Sequence, residues 1–152
     1  MTSPPHVNEL FKSDAARVTL TTSLPPFIPH LQLVALAEQQ LDSDIASVLK
    51  LTDDLLNKGD PFMTSWDLRQ CGAPPMKTVA KCVKWAITRK KKLDTFNKRM
   101  VVLMPNKPAL MSIVKLVLRA FGPTCPVKVS QDEAECVAFM REQPDDPDNT
   151  PN

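Results

Sequence analysis

Hydrophobic positions along the chain alternate between two periods, and the switches mark the elements. In "RVTLTTS" (17–23), Val18 and Leu20 alternate with Thr19 and Thr21, the period-2 signature of a strand with one wetter face. "LPPFIP" reads as a rigid turn, and "HLQLVALA" (30–37) as a second strand, so the two suggest an antiparallel hairpin. "LDSDIASVLKLTDDLLNKGD" (41–60) moves to the helical period. Ile45, Val48, Leu49, Leu55 and Leu56 share a stripe, Asp42, Ser43 and Asp44 offer caps, and Gly59 follows the end. In "PFMTSWDL" (61–68), Phe62, Thr64, Trp66 and Leu68 point one way, and Met63, Ser65 and Asp67 the other.

A helix follows over "PPMKTVAKCVKWAITRKKK" (74–92), with proline in its first turn and Met76, Val79, Val83, Ala86 and Ile87 as the expected buried stripe. "RMVVLMP" (99–105) is a continuous apolar run, as in a strand covered on both faces. Asn106 is the expected cap of "KPALMSIVKLVLRAF" (107–121), which closes at Gly122 and Pro123. "PVKVS" (126–130) is a short strand, and Ser130 with Glu133 forms a capping box for a last helix over "QDEAECVAFMRE". The predicted order is β-β-α-β-α-β-α-β-α. This is an α/β fold with one mixed, mostly parallel sheet of about five strands and about four helices. Residues 1–14 are expected to be a flexible segment, with "NELF" as a turn of helix, and 15–141 the domain. Residues 142–152, acidic and proline-rich, are expected to be a disordered tail.

At 152 residues the chain suits one domain, and 43% hydrophobic content supplies a core. No run is long and apolar enough to span a bilayer, and the first residues lack a signal-peptide layout, so a cytoplasmic location is expected. Cys71, Cys82, Cys125 and Cys136 show no Cys-x-x-Cys spacing, and His6 and His30 lie far from them, so no metal site is expected. Cys82 and Cys136 fall in helical patterns and read as small buried hydrophobes.

The succession of hairpin, helix, strand–Asp-Leu-Arg–helix and then "RMVVLMPNKPALMSIVKLVLRAFGPTCPVKVSQDEAECVAFM" resembles the STAS-like domains, the family of the anti-sigma-factor antagonists. The CRAL-TRIO lipid-binding fold shares a similar strand–Pro–apolar-helix passage and is the second choice. The STAS resemblance implies a switch in which a partner kinase phosphorylates a Ser or Thr in the loop after the third strand. Here that loop reads "RQCGAPPMKTV", without Asp-Ser-Ser-Gly, and Thr78 is its only hydroxyl. The CRAL-TRIO alternative implies a lipid or small ligand in a closed apolar cavity beneath the third or last helix.

Three sets of residues are candidates for function. Asp67, Arg69 and Cys71, with Thr78, lie at the C-terminal end of a central strand, where open α/β sheets bind ligands. A polar pocket or an activated Cys71 thiol is one reading, and a structural strand exit held by Asp67 is the other. Lys77, Lys81 and Lys84 share a helix face that continues into Arg89, Lys90, Lys91 and Lys92, either a solvated surface or a site for an anionic membrane or acidic protein. Aromatic residues do not interleave these cations regularly, Trp85 standing alone between Lys84 and Arg89, which argues against nucleic acid. The apolar helix carries Leu110, Met111, Val114, Val117, Leu118 and Phe121 around most of its circumference, so a neighbouring element or a partner must cover it.

No Ser-centred elbow, glycine-rich phosphate loop or carboxylate pair is present, so no catalytic residue and no cofactor are expected. The leading expectation is a non-catalytic interaction module or accessory subunit, regulatory in character. A protein partner or second copy would bind the apolar third helix and the basic second one. The alternatives are lipid or small-ligand binding and a phosphorylation switch.

Overall fold

A computed structural model describes residues 6–22 and 28–142. Six strands form one sheet in chain order: β1 (His6–Lys12), β2 (Ala16–Thr22), β3 (His30–Ala35), β4 (Phe62–Asp67), β5 (Asn97–Leu103) and β6 (Val127–Ser130). The first three pair antiparallel, and β3 through β6 run parallel. Five helices connect or follow the strands: α1 (Asp42–Lys58), α2 (Met76–Thr88), α3 (Lys90–Phe96), α4 (Pro108–Phe121) and α5 (Glu133–Arg141). The fold is α/β with a mixed sheet, but it has one more strand and one more helix than the sequence predicted.

The extra strand is β1, drawn from the segment expected to be flexible and partly helical. Glu9 pairs with Thr19 and Phe11 with Val18, so Leu10 is an extra residue in a bulge. The bulge lets the adjacent Leu10 and Phe11 both pack on the cluster of Val18, Leu31 and Leu33, which hides the strand's period. The extra helix is α3, cut from the long helix expected to run through the lysines. It buries Leu93 with Phe96 beside it against Leu56 and Phe62. The expected disordered tail lies outside the described residues apart from Glu142, as does most of the proline turn after β2.

Parallel strands laid down in sequential order send their crossovers to one face. Val48, Leu51 and Leu55 of α1 pack over Val18, Leu31 and Leu33. Ala86 of α2 and Phe121 of α4 meet Phe62 and Met100, and Leu110 and Val114 of α4 meet Ala35 and Val102. Among the described helices only α5, after the last strand, reaches the other face, where Cys136 and Met140 cover Met63, Val101 and Leu103. Away from the β1 bulge, β4 and the end of β5 (Met100–Leu103) follow the two-residue alternation that this requires.

Helix ends partly depart from expectation. Gly59 and Gly122 do end α1 and α4 at positive φ, +79° and +59°, where a side chain would be strained. At the starts, Leu41 and Lys107 occupy the N-cap positions without side-chain capping. Asp44 instead accepts the Ser13 hydroxyl at 2.6 Å, tying the helix to the β1–β2 turn. On α5 the cap is Asp132, which accepts the Ala134 N–H at 2.9 Å, and Glu133 turns to Arg69 rather than closing a box.

Candidate functional site: an apolar cavity between three helices and the sheet

An apolar cavity of about 280 Å³ lies between α1, α2, α4 and the sheet. Its floor comes from Leu33, Ala35, Trp66, Met100 and Val102. Its helical walls are Ile45, Val48 and Leu49 of α1, Val79 and Cys82 of α2, and Ile113, Val114 and Val117 of α4. Ile45, Leu49, Cys82, Ile113 and Val117 are only half-buried, which marks the side on which the cavity meets solvent.

The cavity lies where α1 and α2 stand apart. α2 packs against α4, while α1 touches α3 near the far end of the layer. There Asp53 of α1 accepts hydrogen bonds from the Arg89 guanidinium (Nη2 at 2.9 Å) and from Trp85 Nε1 at 3.3 Å, and Arg89 stacks 4.9 Å from the Trp85 ring centre. Lys92 Nζ adds a bond to Asn57 at 2.7 Å. The two helices are thus joined toward their C-terminal ends, and the cavity between them reaches Leu68, Cys71 and Pro74 at the edge where the parallel strands finish. A buried Thr64–Asn97 hydrogen bond of 3.2 Å provides one of the polar contacts beneath this layer.

The strand tip of Asp67, Arg69 and Cys71 is a clasp. Arg69 donates to both Asp67 oxygens, at 3.0 and 2.8 Å, and reaches Glu133 of α5 at 3.1 Å. The hydrogen bond with Asp67 holds its guanidinium above the ordinary pKa. Gly72 donates its N–H to the Glu38 carbonyl at 2.9 Å, and a Cβ there would stand 3.3 Å from that oxygen, so the close approach of the two loops favours glycine. Cys71 is buried, its thiol pushed up by desolvation although Lys107 works the other way. Cys82, Cys125 and Cys136 are pushed up by burial as well. Thr78, the candidate phosphoacceptor, is 9% exposed and lines the cavity. A kinase would have to open the domain to reach it.

The apolar face of α4 expected to meet a partner is turned inward. Leu110, Val114 and Phe121 are buried, Met111 and Leu118 pack on the same clusters, and Val117 lines the cavity. Three helices crowd one sheet face, so the excess apolar surface of α4 is taken up by α2 and the sheet. On α2 the buried stripe is rotated from expectation: Thr78, Val79 and Ala86 are inside, while Met76 and Ile87 are 60% and 53% exposed.

The basic run divides in the same way. Arg89, Lys90 and Lys92 are structural, Lys90 bonding Asp94 at 2.9 Å and the Gly122 carbonyl at 2.6 Å. Lys77, Lys81, Lys84 and Lys91 are exposed and, among the described residues, form no ion pair.

The opposite face carries two features not anticipated in the sequence. His30 Nε2 lies 2.8 Å from Ser65 Oγ in a groove beside α5, and burial pushes the imidazole pKa down. Arg99, 5% exposed, donates to the Phe139 carbonyl at 3.1 Å and Glu142 at 3.2 Å, while its Nε has no partner among the described residues. Ser65 sits mid-strand between β3 and β5, where the ladder engages the backbone on both sides, so the His–Ser pair has no preformed backbone cradle for an oxyanion.

Among the described residues, no group of three or more His, Cys, Asp or Glu side chains stands close enough to hold a metal ion, and no helix is long and apolar enough to cross a membrane. Compared with known proteins, the chain matches no family model, no curated protein and no solved structure.

Proposed function

We propose that this protein is a non-catalytic α/β binding module whose cavity takes a small apolar ligand. The observation that carries this reading is the apolar cavity of about 280 Å³ walled by α1, α2 and α4 over the sheet. An apolar cavity of about 150 Å³ stays dry and takes up benzene, which sizes the present ligand at about ten to twelve heavy atoms. Position supports the reading too, because Leu68, Cys71 and Pro74, at the edge where α/β sheets bind ligands, line the cavity. Thiols raised by burial work against thiolate chemistry at Cys71 or Cys82. The resemblance to STAS-like domains is a proposal that rests on the sequence motifs, since the order of strands and helices differs from the STAS-like order expected. An apolar cavity walled in part by α4 favours the CRAL-TRIO-like alternative, although this one meets solvent where that alternative implies a closed cavity.

Thermal unfolding with decanoic acid and 1-decanol as probes tests the reading, alongside native mass spectrometry of the purified protein. At a hundred times Kd a bound probe adds about 2.7 kcal/mol, or about 5–10 °C in Tm for a chain of this size. Cys82→Phe, which fills the void, should abolish the shift while keeping the far-UV circular dichroism. No shift in either protein, or an equal shift in both, overturns the proposal.

A further inference from the structure

We infer that the outer surface formed by α2 and α4 is a docking face for an anionic lipid bilayer. The stretch from residue 72 to 131 holds thirteen Lys and Arg and a single acid, Asp94, although the whole chain is nearly balanced at 19 basic and 17 acidic residues. Asp94 is held by Lys90 at 2.9 Å. The two helices both start at the strands' C-terminal edge, pack side by side and turn their outer faces the same way. That surface presents exposed Lys77, Lys81 and Lys84 from α2, and Lys115 and Arg119 from α4.

Exposed apolar side chains lie among these cations. Met76 is 60%, Ile87 53% and Leu116 45% exposed, so three of the six large hydrophobics exposed in the described structure are on this pair of helices. Cations around exposed aliphatic groups suit a headgroup layer, where the charges meet anionic lipid and the apolar groups enter the acyl boundary. Nucleic acid fits less well, because the one aromatic side chain beside these cations, Trp85, is half-buried and already engaged by Arg89 and Asp53. A bilayer is also a reservoir of apolar molecules for a cavity walled by the inner faces of the same helices. That last link rests on the cavity reading, whereas the docking face does not.

Co-sedimentation of the full chain with vesicles tests the inference. We expect binding to phosphatidylcholine vesicles containing 30% phosphatidylserine, no binding to pure phosphatidylcholine, and weakening as salt rises, since each cation near the surface contributes about fivefold in affinity. Lys81→Glu with Lys84→Glu should lose about 30-fold or more. Lys12→Glu with Arg141→Glu, reversing as many charges away from this face, should change binding less than about threefold. Ile87→Ser with Leu116→Ser should remove several-fold of the binding that survives high salt. Circular dichroism confirms that each variant is folded. Equal binding to both vesicle types, equal loss in the two charge-reversal variants, or retention on double-stranded DNA without binding to anionic vesicles overturns the inference. The cavity-filling Cys82→Phe should bind vesicles like the wild type, so the two readings fail separately.

Discussion

The two faces of the sheet are built from the same strands and held by different physics. On the face covered by α1, α2 and α4, β4 presents Phe62, Thr64 and Trp66, and the contacts are mostly apolar. On the other, β4 presents Met63, Ser65 and Asp67, and the short α5 is fastened by Arg69–Glu133 and Arg99–Glu142 as well as by Cys136 and Met140. The cause is topological. Sequential parallel strands commit every crossover helix to one side, and only the helix after the last strand reaches the other. That helix covers the parallel end of the sheet, so the second face of β2 is polar, with Arg17, Thr19 and Thr21 alternating against the buried Val18. One face is over-supplied with helix and encloses a void, while the other is under-supplied and uses polar clasps.

The largest expected effect tests the apolar face. Leu110 is 2% exposed and borders the cavity, so Leu110→Ala adds to an existing void and should cost about 3–4 kcal/mol in urea unfolding. Its counterpart on the other face, Met140→Ala, removes a 9%-exposed side chain near a helix end and should cost about 2 kcal/mol. Equal losses would mean that α5 is bound as firmly as the three-helix layer.

Arg99 sharpens the comparison next. Truncation by Arg99→Ala removes its packing against Phe139, 4.5 Å from the ring centre, and its hydrogen bond to the Phe139 carbonyl, at a cost of about 2 kcal/mol. Arg99→Met keeps the packing and relieves the buried, unsatisfied Nε, while the largely exposed Glu142 returns to water. Its stability should stay within about 1 kcal/mol of wild type. Equal destabilisation by Ala and Met in denaturant melts would show that the charge, rather than the side-chain volume, holds α5.

Asp53→Ala addresses the clamp between α1 and α2. The pair with Arg89 is about one-third exposed, so screening reduces its contribution to about 1 kcal/mol. The sharper readout is local. Amide exchange in α1 should accelerate more than in α4, because Asp53 is the shared acceptor for Trp85 and Arg89.

How much of this was legible in the sequence follows from the range of each signal. The faces of β4 and the glycine ends of α1 and α4 are local, set by alternation and by positive φ. β1 escaped because its bulge puts Leu10 beside Phe11 without a period. Met76 and Ile87 were assigned to the core because periodicity fixes the width of an apolar stripe but not which neighbour it faces. The cavity depends on how two helices are brought together through Asp53 and Arg89, residues 36 apart, and no local pattern encodes that. The concentration of positive charge between residues 72 and 131 was legible by counting alone, and its meaning became visible only when α2 and α4 were seen to share a surface.

The smallest expected effect separates the faces by pH. His30 lies on the polar face beside Ser65, in a groove that also holds Asp67, Glu133 and Arg141, and burial lowers its pKa below 6.5. Below pH 6.5 the unfolded chain therefore takes up a proton that the folded protein still refuses. Stability contributed by neutral His30 is full above 6.5, declines as pH falls below it, and stops changing once pH drops beneath the folded pKa. The Ser65 hydroxyl can donate to the neutral ring, and a protonated ring forfeits that arrangement. His30→Gln should flatten the dependence of unfolding free energy between pH 7 and 5.5, a window above most carboxylate titration, whereas Cys82→Phe on the apolar face should leave it unchanged. An unaltered slope in His30→Gln would assign the pH response to other groups and remove His30 from the distinction between the two faces.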